Sequence, residues 1–249
     1  MSRKLFNEQD FLFIASRHTG VLTFSIDECT SDTNILPFKN PYTKIAFLSW
    51  GYLLRMAACD MLDIETNELD IGYRVSPKGI PEVFLVEKLD NGAGYCNYLN
   101  GKTNPKVAKK AFITSLFEGG TVYERLIQKQ HEEDCQASCY DCLRDYYNQQ
   151  YHSFLNWRIG LDLAKLSSSV DATISFDIDY WKELMPTITQ RLAIKLGGIE
   201  TGFAFGVHFI KTTTKNIVIT HPLWDDLKIQ SIKNKFDGIV ECHLSLIHI

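Results

Sequence analysis

Cys135-Gln-Ala-Ser-Cys139-Tyr-Asp-Cys142 is the stretch from which this chain is read. Three of the seven cysteines fall here, while Cys29, Cys59, Cys96 and Cys242 are scattered. An odd and clustered set is not a disulfide framework, and a tight thiol group is better explained by a metal than by bridges. The C-x3-C-x2-C spacing brings three thiolates within about 2.3 Å of one Zn²⁺ if the turn folds back. A closed structural site needs a fourth soft or imidazole donor. The candidates are Cys96, His131 and His152. Two other readings stand beside this one: three neighbouring thiols that hold no ion, and an open catalytic zinc with Glu132 or Glu133 as general base.

Upstream of the cluster, Gly20 to Asp27 alternates apolar and small polar residues, which predicts a strand. The Asp-, Thr-, Asn- and Pro-rich run Glu28 to Asn40 predicts a loop. Ile45, Leu48, Tyr52, Met56 and Cys59 recur every three or four residues, so a helix follows Pro41 and Cys59 reads as a small core residue. Residues 68–75 and 82–87 read as a hairpin turning at Ser76-Pro-Lys-Gly79. In Asn91-Gly-Ala-Gly-Tyr-Cys96 two glycines permit a sharp turn or close approach to another chain or a ligand. Asn104-Pro105 starts a helix expected to run to Phe117. Thr121-Val-Tyr-Glu124 has capping-box spacing for another helix, toward His131.

Downstream, Tyr151, Leu155, Ile159, Leu163 and Leu166 mark a long helix ending at Ser167-Ser-Ser169, the best internal boundary. Beyond it a strand is expected over Ala172 to Asp177, a helix over Leu184 to Leu196, and strands over Gly202 to Ile210 and Asn216 to Thr220. The fold class is α+β: a zinc-binding domain of helices and short antiparallel strands over residues 1–169, then a smaller α+β extension over 170–249.

With 249 residues, 45% of them apolar, 22% charged and a net charge of −4, the chain is globular and not a polyelectrolyte. The most apolar run, Ile45 to Ala58, carries Arg55, so no membrane span is expected. The acidic residues in Met-Ser-Arg-Lys-Leu-Phe-Asn-Glu-Gln-Asp10 argue against a secretory leader, and the expected location is cytoplasmic.

Cys139-Tyr-Asp-Cys-Leu-Arg-Asp-Tyr-Tyr-Asn148, Tyr151-His152 and Leu155-Asn-Trp-Arg-Ile-Gly-Leu-Asp-Leu-Ala164 together resemble a known family. It is the zinc-binding domain at the C-terminus of MrfA-type DEAD/DEAH-box helicases and in DrmB-like proteins of the DISARM anti-phage systems. The likeness extends upstream through Ser49 to Leu62, Glu68 to Gly72 and Asp90 to Tyr95, covering roughly residues 20–170. It implies a structural zinc, held mainly by cysteines, in a noncatalytic module attached to a DNA helicase in repair or phage defence. Cys135, Cys139 and Cys142 match the family's thiols. Family members often carry a Cys or His two residues before the first of these, where this chain has Glu133. The order of preference for the fourth ligand is therefore Cys96, then His152, then His131. Cys96 leads because a distant donor would convert metal affinity into folding free energy across the domain.

The chain has no G-x-x-x-x-G-K-[ST] phosphate loop, so the ATP-driven motor is expected elsewhere, in a longer polypeptide or a separate helicase. DNA is an open partner. Lys102, Lys106, Lys109 and Lys110 cluster, and Arg144, Arg158, Lys211 and Lys215 could extend a basic face with Tyr146 and Tyr147 for stacking. The plainer reading is a solvated helix face, in keeping with the net negative charge. An alternative from another class is a metal-dependent nuclease using Asp237 and Glu241 in the C-terminal tail.

Overall fold

The computed structural model describes residues 18–101 and 112–243. Its first layer is a three-stranded antiparallel sheet, β1 (Val21–Ser25), β2 (Leu69–Val75) and β3 (Pro81–Glu87), with β3 in the middle. Val83 and Leu85 of the central strand are buried, as the alternation of that strand requires. Against this sheet lies α1 (Thr43–Leu62), which has fifteen buried residues and is buried nearly all round. By length and composition alone α1 qualifies as a membrane span, but 78% of its apolar window is covered by the rest of the fold. It is the core helix, and each large apolar side chain it buries contributes about 1.5–3 kcal/mol.

On the other side of α1 packs α5 (Trp157–Leu166). The two helices approach closely at Gly160, where a Cβ would stand 2.8 Å from Leu53 Cδ1 and 3.1 Å from the Ser49 backbone. The expected helix from Tyr151 is shorter at its start. Asn156 caps α5 by accepting from the N–H groups of Arg158 and Ile159, and the preceding residues Tyr146–Tyr151 form a 3-10 turn capped by Asp145. Between the sheet and this turn lie α2 (Tyr95–Leu99), α3 (Thr121–Leu126) and α4 (Lys129–Asp134). The predicted capping box at Thr121 is not made. Gly120 occupies the cap position, and Glu124 instead accepts from the Gly119 N–H at 3.0 Å. The predicted helix start at Asn104-Pro105 lies outside the described residues.

The C-terminal part holds α6 (Asp179–Lys182), α7 (Leu184–Leu196) and a second sheet, ordered β4 (Glu200–Ala204), β5 (Val207–Lys211), β6 (Asn216–Ile219) and β7 (Val240–His243). The single strand expected over Gly202 to Ile210 is a hairpin that reverses at Phe205-Gly206, and the strand expected over Ala172 to Asp177 is irregular. β7 pairs parallel to β6, and the crossover between them carries α8 (Asp226–Lys233), capped by Asp225. The helix and the strand both went unread in the sequence.

One buried cluster runs through residues on both sides of Ser167-Ser-Ser169. At its centre Asp162 of α5, fully buried, accepts from Tyr180 Oη at 2.7 Å, Trp181 Nε1 at 2.9 Å and His221 Nε2 at 3.0 Å. The Leu223 N–H donates to His221 Nδ1, so the proton of this imidazole is on Nε2 and points at Asp162. Burial next to the Asp162 carboxylate pushes the Tyr180 hydroxyl well above its ordinary value. The loop 28–40 reaches the same region: Asn40 Nδ2 donates to the carbonyls of Asn34 and Pro222, both at 2.8 Å.

Candidate metal centre

The thiol loop is held between α4 and the start of α5. Cys135 is the residue that ends α4, and its N–H still bonds the His131 carbonyl at 2.8 Å. The loop then turns tightly, with the N–H groups of Cys142 and Arg144 both directed at the Cys139 carbonyl. This reversal brings Cys139 Sγ and Cys142 Sγ to 3.5 Å, and Cys135 Sγ and Cys142 Sγ to 3.7 Å. His131, one turn before Cys135 along α4, sets its Nε2 3.5 Å from Cys139 Sγ. All four donor atoms lie within 4.8 Å of one another. Donors bound at about 2.3 Å to one tetrahedral ion stand about 3.8 Å apart, so the group has the size of a Cys3His zinc site.

The fourth donor is thus His131, the least favoured of the three candidates. Cys96 is held against the end of β3, where its Sγ contacts the Leu85 carbonyl at 3.7 Å and its N–H donates to Glu87 Oε1 at 2.8 Å. Burial raises its thiol to about 12, aided by the neighbouring Glu87 charge. His152 spends its Nε2 on the Asp145 carbonyl at 3.0 Å and Asn148 Oδ1 at 2.7 Å. It braces the turn after the cluster. The signal that favours His131 was its spacing, four residues before Cys135, which on a helix places both on one face.

A coordinating imidazole needs its other nitrogen oriented. His131 Nδ1 sits 2.8 Å from the Leu126 carbonyl, which only accepts, so Nδ1 carries the hydrogen and Nε2 offers its lone pair to the thiol side. Burial acts to lower the His131 value, but hydrogen bonding with the Cys142 thiol and the Leu126 carbonyl outweighs it and the net shift is upward. The Cys142 thiol is pushed far up by its hydrogen bond to Cys135 and by burial, and burial also raises Cys139. The upward shifts of Cys139 and Cys142 favour their protonated thiols, and a cation binds them only by displacing those protons, which couples metal uptake to proton release.

The loop backbone is clamped from α5. Trp157 Nε1 donates to the Cys135 carbonyl at 3.2 Å, and the Trp157 N–H to the Ala137 carbonyl at 2.9 Å. Arg158, 1% exposed, donates to the carbonyls of Gln136 at 2.9 Å and Tyr180 at 2.6 Å, lies 4.0 Å over the Trp157 ring, and faces Glu132 at 3.6 Å. Burial lowers its guanidinium to about 10, so it stays cationic at neutral pH. Three thiolates, a neutral imidazole and Zn²⁺ carry a net negative charge, and Arg158 places a positive one against the loop that holds it.

The other site residues fall apart as a basic face. Lys102, Lys106, Lys109 and Lys110 lie outside the described residues. Arg144 points into the thiol loop, donating to Ser138 Oγ at 2.9 Å. Arg158 is buried, Lys211 pairs with Glu200 at 3.8 Å, and Lys215 with Glu241 at 2.5 Å. Tyr146 and Tyr147 remain exposed. Among the described residues the only group of three or more His, Cys, Asp or Glu able to hold a metal is the His131 cluster, so Asp237 and Glu241 are not part of one.

No family model matches the chain, and no curated protein or solved structure matches it.

Proposed function

We propose that this chain is a noncatalytic zinc-binding module that serves a DEAD/DEAH-box helicase system. The single observation that carries the zinc half is the convergence of His131, Cys135, Cys139 and Cys142, with the imidazole oriented by a backbone carbonyl. Such a donor set is saturated by one ion and leaves no position for a reacting water, as in closed structural sites. Zinc in this place would tie α4 to the start of α5, fixing the junction on which Arg158 and Trp157 depend. Of the two nominated general bases, Glu132 is engaged with Arg158 and Glu133 with Lys129. The helicase half is supported by the sequence likeness of residues 139–164 to MrfA-type domains.

Metal analysis of the purified full chain is expected to give about one zinc per chain. A folded, metal-free chain with an unchanged melting temperature after chelation overturns the structural zinc. For the partner, the chain is expected to co-elute with a DEAD/DEAH-box helicase encoded beside it and to change its DNA-stimulated ATP hydrolysis. Separate elution with unaltered hydrolysis overturns that part.

A further inference from the structure

A cleft of about 400 Å³ lies between α8, the loop before α6 and the β4–β5 turn, away from the thiol loop. Its size is in the range of small-molecule sites. Three of its polar residues, Lys228, Ser231 and Lys235, recur at three and four positions along one face of α8 and its continuation, so they form a stripe about 10 Å long. Lys228 lies 4.7 Å from the Trp224 ring and 3.2 Å from the Ile174 carbonyl, with Asp32 at 3.6 Å. Burial lowers its ammonium value. Lys235 forms no ion pair among the described residues.

The rim of the cleft is built against local preference. Phe205 and Gly206 form the two-residue turn between β4 and β5, with φ of +55° and +78°. Such turns favour Asn, Asp or Gly at both positions, and a bulky side chain in the left-handed region costs about 1–2 kcal/mol. Phe205 gains little burial in return, being 56% exposed with the Phe236 ring against it at 5.3 Å. An unfavourable backbone that presents a bare aromatic ring at the mouth of a lysine-lined cleft is a feature of binding sites rather than of packing.

We propose that this cleft binds a nucleotide, with its phosphate between Lys228 and Lys235 and its base against Phe205. A flat aromatic ring accepts any base, and ammonium groups suit a phosphate. The carboxylate of Asp32 competes with that phosphate for Lys228. This site is independent of the thiol loop and of the zinc reading. The nucleotide is either free or the phosphorylated end of a single strand, and the same experiment separates them.

Calorimetric titration of the full chain is to be run with AMP, adenosine, inorganic phosphate and a 5′-phosphorylated oligo-dT. Binding of AMP tighter than of adenosine or phosphate is expected if the free form is recognised, and binding of the oligonucleotide but not AMP if a strand end is. Phe205→Asn is expected to weaken binding about tenfold, the scale of one base–ring stack, while leaving the melting temperature equal or higher. Lys235→Gln is expected to weaken binding of the phosphorylated ligands and not of adenosine, and Asp32→Asn to tighten it. No binding of either nucleotide at millimolar concentration overturns the proposal. So does binding unchanged by both Phe205→Asn and Lys235→Gln, or a Phe205→Asn chain that melts markedly lower.

Discussion

Glu87 and the thiol loop each gather polar groups around a point, but they differ in where the central charge comes from. Glu87 ends the central strand β3 fully buried, and its carboxylate accepts from the backbone N–H groups of Ala93, Gly94 at 2.8 Å and Cys96 at 2.8 Å. The glycine turn, read as a sharp reversal or a place of close approach, is occupied by the chain itself. A Cβ on Gly20 would stand 2.1 Å from Glu87 Oε1, and one on Gly92, at φ +73°, 2.9 Å from Oε2. At the thiol loop four donors converge with no cationic side chain among them. A turn that supplies N–H groups is completed by an anion, and the sequence provides one. A loop that supplies sulfur and imidazole is completed by a cation, and Arg158 reaches only its backbone carbonyls.

The largest expected effect breaks the second of these centres. Cys139→Ser should lose zinc and cost on the order of 5 kcal/mol, part of the folding free energy that a structural zinc supplies. Cys59→Ser and Cys29→Ser should leave zinc content intact. Metal analysis and melting of the three variants side by side check this, and equal thermal shifts would contradict it.

Next comes the clamp between the two helices. Arg158→Met should cost about 3 kcal/mol, because it leaves the half-buried Glu132 without its cation and removes the donors to the Gln136 and Tyr180 carbonyls. Denaturant melts of zinc-loaded protein measure it. A neutral result would show that the thiol loop holds itself without help from α5.

The glycine turn gives the third test. Glu87→Gln should cost about 2 kcal/mol, since an amide presents only one oxygen to three N–H donors. Burial alone would raise the Glu87 carboxyl, but its hydrogen bonds from Cys96, Gly94 and Ala93 bring it below the ordinary glutamate range. A carboxyl lowered in the folded state stabilises at and above its unfolded value, and that stability is lost as pH falls through the lowered folded value. Unfolding free energy of the wild-type chain should therefore drop below about pH 4.3, with the Glu87→Gln chain showing a shallower drop. Parallel slopes would mean that the carboxylate is not held as described.

The smallest effects separate ligands from bystanders. Cys96→Ser and His152→Gln should both retain full zinc, with His152→Gln costing about 1 kcal/mol for its hydrogen bonds to Asp145 and Asn148. Zinc lost from either would displace His131 from the site.

Much of this was legible in the chain. Three-and-four spacing announced α1 and α7, alternation with a Pro-Gly turn announced the β2–β3 hairpin, and thiol spacing announced the metal loop. These are local signals, because a helix face, a strand face and a short chelating loop each repeat within a few residues. Where a local signal was missing or ambiguous, the reading failed. The turn at Phe205-Gly206 carries no Asn or Asp, so one strand was read where there are two. The α5 stripe extends back to Tyr151, so the cap at Asn156 was overrun.

What the sequence determined by itself was composition, the α+β class and three of the four donors. Only the tertiary structure decided that His131 and not Cys96 completes them, that Glu87 fills the glycine turn, and that Asp162 joins α5 to Tyr180, Trp181 and His221 across the serine triplet. The physical reason is distance along the chain. Which buried donor meets which acceptor depends on how helices and sheet pack, and residues far apart in sequence carry no periodic mark of the partner they will find.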